Sequence, residues 1–109
     1  MSAPPIVVIA CLKPEAAQRW LEALEAYRAA EAEAARLREV LYAQGARRAD
    51  ETAAEWVERS GRLRASWHAQ IEVAQAAWTA APYDARWLWV EMGAEQLLVD
   101  LRARAGVTA

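Results

Sequence analysis

The sequence predicts a mainly α fold: a long antiparallel helical hairpin plus a shorter third helix, with a short N-terminal strand or arm. Three observations carry this expectation. Alanine, glutamate, arginine and leucine dominate the 109 residues, the composition of long helices. There are six tryptophans and no phenylalanine, and Trp56, Trp67 and Trp78 recur every eleven residues. Eleven residues is close to three helical turns, so these rings share one stripe. Gly45 and Pro82 mark stops at the ends of two long periodic segments.

Residues 1–13 read as a separate N-terminal arm or strand, ahead of a helical domain at 14–109. Pro4 and Pro5 resist helix, and Ile6-Val7-Val8-Ile9 is β-branched. The run is apolar without alternation, which asks for cover on both sides. The first helix is expected over about 14–44. Pro14 suits a first turn, Glu15 complements the positive helix end, and Gly45 follows the last turn. Ala16, Trp20, Ala23, Tyr27, Ala30, Ala34, Leu37 and Leu41 form a seam with spacings of three and four. Such a rod, roughly 45 Å long, needs a partner along its length.

The second helix is expected over about 50–80, with Asp50 as its N-cap and Pro82 beyond its end. Trp56, Leu63, Trp67, Ile71, Ala74 and Trp78 fall in one arc. A turn centred on Arg47 sets Trp20 opposite Ala74, Ala16 opposite Trp78, Ala23 opposite Ile71 and Ala30 opposite Leu63, large against small at each level. Trp67 is therefore expected in the core near Tyr27. The third helix is expected over about 84–105, capped by Asp84 and followed by Gly106. It carries two apolar stripes. One holds Trp87, Val90, Ala94, Leu97, Leu98 and Leu101; the other holds Leu88, Trp89, Met92, Val99 and Ala103. A helix apolar on two faces must be covered twice. Trp89, Met92 and Val99 are accordingly the expected protein interface, with the Ile6–Leu12 segment either completing that contact or folding back over it. Residues 85–92 also read as a strand.

The formal net charge of −2 excludes a strongly basic nucleic-acid coat and an acidic tail. A single cysteine, Cys11, allows no internal disulfide and suits a reducing compartment. No signal peptide or membrane span is indicated, and the expectation is a soluble, cytoplasmic protein. No phosphate-binding glycine loop, nucleophile elbow or Cys-x-x-Cys is present. His68 and Glu72 form an i, i+4 pair that can offer two metal ligands, but no third ligand shares their face, so no metal and no cofactor are expected. Glu91 and Glu95 suit acid–base work only in a desolvated pocket; a solvated helix edge is the simpler reading. Cys11 reads as a small buried apolar residue. Arg47, Arg48, Arg59, Arg62 and Arg64 offer phosphate contacts, weakened by the interleaved Glu51, Glu55 and Glu58.

The segment Ile6-Val7-Val8-Ile9-Ala10-Cys11-Leu12-Lys13-Pro14-Glu15 resembles the first strand and helix start of dimeric α+β barrel monooxygenases of the antibiotic-biosynthesis type. The resemblance covers a tenth of the chain, brings no catalytic motif, and stops where that barrel needs further strands. The length and helical pattern are similar to small secreted proteins with a Trp-x-Gly turn, but the turn here reads Tyr42-Ala43-Gln44-Gly45. Neither family is adopted. The sequence points instead to a non-catalytic assembly or adaptor subunit, a homo-oligomer or the companion of a larger protein, of which phage-type morphogenetic components are one example. The alternative is a nucleic-acid-handling ring of terminase small-subunit type, and the third reading is a small enzyme with a site between helices.

Overall fold

The computed structural model describes residues 4–106 and contains five helices. They are α1 (Pro5–Cys11), α2 (Pro14–Gln44), α3 (Ala53–Ala80), α4 (Tyr83–Met92) and α5 (Ala94–Ala105). No strand occurs among the described residues. The expected hairpin with a third helix and an N-terminal strand is therefore corrected to an all-α, five-helix arrangement.

The first correction is α1. A lone strand leaves its backbone N–H and C=O groups without a ladder partner, whereas a helix satisfies most of its own. Pro4 and Pro5, read as helix-resisting, in fact start the helix. Pro5 occupies the first turn, where a missing N–H costs nothing, and the Pro4 carbonyl accepts from Val7 N at 3.0 Å and Val8 N at 3.3 Å. The helix stops at Leu12, which is extended (φ −70°, ψ 139°), ahead of Lys13-Pro14. The Lys13 carbonyl then accepts from Ala17 N at 3.0 Å and opens α2.

The second correction concerns the third helix, which is two. Gly93 adopts φ 87°, ψ 149°, a region open to glycine and costly for other residues. Its N–H bonds the Trp89 carbonyl and closes α4; its own carbonyl accepts from Leu97 N and opens α5. The break has a packing reason. One straight helix shows its two apolar stripes to opposite sides, whereas two short helices both turn apolar residues into one core: Ala85 and Leu88 from α4, and Leu97, Leu98 and Leu101 from α5. Residues 85–92 are helical.

The chain divides into two compact units. One comprises residues 4–26 and 77–106, the other residues 27–76. In the first, α1 packs on α4 and α5, and α4 packs on α5. Its core joins Ile9 of α1, Ala17, Trp20, Leu21 and Leu24 of α2, and Ala81 to the buried residues of α4 and α5. Leu24, Leu88, Leu97, Leu98 and Leu101 are fully buried, each contributing about 1.5–3 kcal/mol relative to exposure. Arg102 reaches Glu25 at 3.2 Å, and Arg104 Nε donates to the Leu12 carbonyl at 2.5 Å.

In the second unit the buried side chains are small: Ala30, Ala34, Ser60 and Ala74. The helix-opening residue of α3 differs from expectation. Thr52, rather than Asp50, caps it: Thr52 Oγ1 accepts from Glu55 N at 3.2 Å, while Glu55 Oε1 accepts from Thr52 N at 3.4 Å. This reciprocal pair is a capping box. Trp67 is only half-buried, against the expectation of a core ring, and lies 5.2 Å from the His68 ring.

Candidate functional site

The residues expected at an interface all lie in the first unit. Trp89 and Met92 are half-buried and pack against the leucine core. The Trp89 ring meets Trp78 edge-on, 6.1 Å between centroids and 78° between planes, a favourable quadrupolar arrangement. Val99 differs: it is 56% exposed on α5. The break at Gly93 explains the separation, because it places Trp89 and Met92 on one helix and Val99 on the next. Sequence reasoning missed other exposed apolar side chains of the first unit. Ile6 is 75% and Val90 74% exposed, and Cys11, expected to be buried, is exposed. Reading Ile6–Leu12 with helical rather than strand periodicity would have placed Val7 and Cys11 on the face away from Ile9, with Ile6, three residues before it, at the margin of the buried side.

The expected phosphate-binding arginines lie in the second unit. Arg59 is the hub of the loop between α2 and α3. Its Nε donates to Glu51 Oε2 at 2.7 Å and its terminal nitrogens to Glu51 Oε1 and the carbonyls of Gln44 and Ala46. The guanidinium thus caps the C-terminal end of α2 from α3, satisfying carbonyls that a helix end leaves without partners. The Glu51 side chain is 8% exposed and that of Arg59 17%. Hydrogen bonds from Arg59 hold the Glu51 carboxyl down at about 2, assisted by the Arg48 backbone N–H and opposed by desolvation. Arg47 Nε donates to the Glu51 carbonyl at 3.0 Å. Trp56 completes the loop, its indole N–H donating to the Gly45 carbonyl at 2.7 Å. Further along α3, Arg62 pairs with Glu58 at 2.8 Å and Arg64 donates to Ser60 Oγ at 3.1 Å. The five arginines do not form one cationic surface: Arg59 faces into its own loop, and Arg62 is partnered by an acid. The eight-residue separation of Glu51 and Arg59 lies outside helical pairing rules, so no periodic spacing marks the pair.

The remaining titratable groups form no reactive cluster among the described residues. Tyr27 donates to Glu31 Oε2 at 2.6 Å, and its hydroxyl is pushed up to about 12 by burial first, then by that hydrogen bond and the glutamate charge. Glu33 is held below the usual range by Arg36. His68, Glu72, Glu91 and Glu95 are exposed. No group of three or more His, Cys, Asp or Glu side chains converges to hold a metal ion among the described residues. No helix among them is long and apolar enough to cross a membrane. No family model, no curated protein and no solved structure matches the chain.

Proposed function

We propose that the protein is a non-catalytic, cytoplasmic assembly subunit that works through protein–protein contacts, with copies of itself as the partner. The observation that supports this reading is the apolar surface left on the first unit. Its helices already seal a leucine core, yet Ile6, Val90 and Val99 remain more than half exposed. Small soluble monomers limit such surface, and apolar and Met side chains are favoured at interface centres. In this reading Val99 lies in the contact, while Trp89 and Met92 are half-buried against the core on the preceding helix. Phage-type morphogenetic components are a natural home for a helical chain of this size, by analogy of architecture alone. A terminase-like nucleic-acid role asks for arginines free to meet phosphate, and the engagement of Arg59 and Arg62 with Glu51 and Glu58 favours the assembly reading over it. Light scattering across a concentration series tests the proposal. The expected result is a mass that is a multiple of the chain mass, reduced by Val99→Glu, with no salt-dependent shift of nucleic acid. A wild-type protein that stays monomeric throughout refutes it.

A further inference from the structure

We infer that the outer face of α4 pairs with the same face of a second copy of the chain, the two helices lying parallel, with Arg86 of each opposite Glu91 of the other. This rests on the assembly reading and names a surface for it. One side of α4 lies in the core, through Ala85 and Leu88. At about 100° per residue, Tyr83, Trp87 and Val90 fall within an arc of about 60° on the opposite side. Tyr83 is 73% and Val90 74% exposed, and Trp87 is half-buried. Arg86 and Glu91 stand on the two flanks of this arc, each about 40° beyond it. Neither makes an ion pair among the described residues, and Arg86 Nε is buried without a hydrogen-bond partner among them. A desolvated guanidinium donor with nothing to bond is costly, so little holds the side chain back from a carboxylate that comes within reach.

Charge selects the occupant and its direction. Tyr83, Trp87 and Val90 have the three-and-four spacing of a coiled-coil seam, and Arg86 and Glu91 take the flanking positions whose pairing sets partner and orientation. Arg86 directly precedes Trp87 and Glu91 directly follows Val90, on opposite flanks. In a parallel two-fold pair each flank meets the opposite flank of the copy, so one contact makes both Arg86–Glu91 bridges at once. An antiparallel pair brings equal flanks together and sets Arg86 against Arg86 and Glu91 against Glu91. The face is thus its own complement, and only in the parallel sense. A partner of a single charge sign satisfies one flank and repels the other. Tyr, Trp and Arg are also the residue types that anchor interfaces. The two aromatic side chains, each of roughly 150–250 Å², with Val90 and the two charged side chains place the contact among transient complexes, below about 1,200 Å² in total.

Sedimentation equilibrium of the full chain, from about 10 μM to about 1 mM, reads the affinity. Arg86→Glu and Glu91→Arg each turn both bridges into like-charge contacts, and each is expected to weaken self-association at least about tenfold with helicity unchanged. The two variants mixed are expected to regain the wild-type affinity, because the acidic flanks of one then face the basic flanks of the other. A chain carrying both substitutions is expected to pair with itself as wild type does. A purely structural role for either side chain gives neither rescue. Glu91 is exposed, so Glu91→Arg must weaken self-association even where Arg86→Glu fails to fold. Wild-type association that Glu91→Arg leaves unchanged, or a mixture that stays as weak as its components, overturns the inference and leaves assembly to another surface, read by Val99→Glu. A wild-type chain that is monomeric at about 1 mM removes the inference and the assembly reading together.

Discussion

Replacing Gly93 by alanine tests the feature that most alters the fold from its sequence pattern. At φ 87°, ψ 149°, a side chain strains the backbone, and a methyl group built there meets nothing within 4 Å. The cost is therefore torsional, without a clash, and amounts to about 1–3 kcal/mol. Gly61 supplies the control. It lies inside α3 with nothing within 4 Å of an added methyl group and no positive φ, so Gly61→Ala gains helix propensity of about 0.5–1 kcal/mol. The same chemical change thus carries opposite signs at two open positions. Thermal unfolding followed by circular dichroism at 222 nm resolves both, since 1 kcal/mol moves the midpoint of a chain this size by about 4 °C. Gly93→Ala as stable as wild type, or more stable with increased helicity, refutes the reasoning: α4 and α5 are then one continuous helix.

Two further outcomes follow from the packing and the loop. Leu88→Ala, at a fully buried site, lowers unfolding stability by about 2–5 kcal/mol, whereas Val90→Ala, two residues on and 74% exposed, changes it by less than about 0.5 kcal/mol in urea titrations. Glu51 has a folded value of about 2 against an ordinary 4.5, so its contribution is fully present above about pH 4.5 and is lost as pH falls towards 2. The urea midpoint of Glu51→Gln, measured between pH 6 and pH 2, therefore falls less steeply than that of wild type; parallel curves argue against the Arg59 pairing.

The helical character of the protein was legible because its composition, its three-and-four spacings and its glycine and proline stops all point the same way. The N-terminal segment was not, because β-branched propensity is worth less than about 1 kcal/mol per residue and tertiary packing overrides it. Gly93 was equally opaque. Gly61 interrupts nothing in α3, so a glycine in a helical pattern does not by itself mark a break. The double apolar stripe was the real signal, and it was read as a need for an outside partner when half of it was met by folding the helix in two. Tryptophan weight also misled: the deepest positions belong to leucine, while Trp67, Trp78 and Trp89 sit at the margins. At the candidate site, Val99 is exposed while Leu88 of the same stripe is fully buried, so stripe membership did not fix exposure, and the Glu51–Arg59 clasp joins a loop to a helix and has no periodic signature.

The first unit draws its helices from both ends of the chain, with residues 27–76 lying between its two segments. Its core is therefore closed by an intramolecular loop of that length, an entropic cost that grows only logarithmically with the number of residues enclosed. The order of synthesis matters more than that cost. During translation α1 emerges before either helix that covers its inner face, and residues 12–82 must follow before α4 begins. The second unit is contiguous, and all of it is synthesised in that interval. The α4 and α5 residues that cover the inner face of α1 are thus the last of the described chain to be made, and until then only the α2 residues of the shared core are there to meet Ile9.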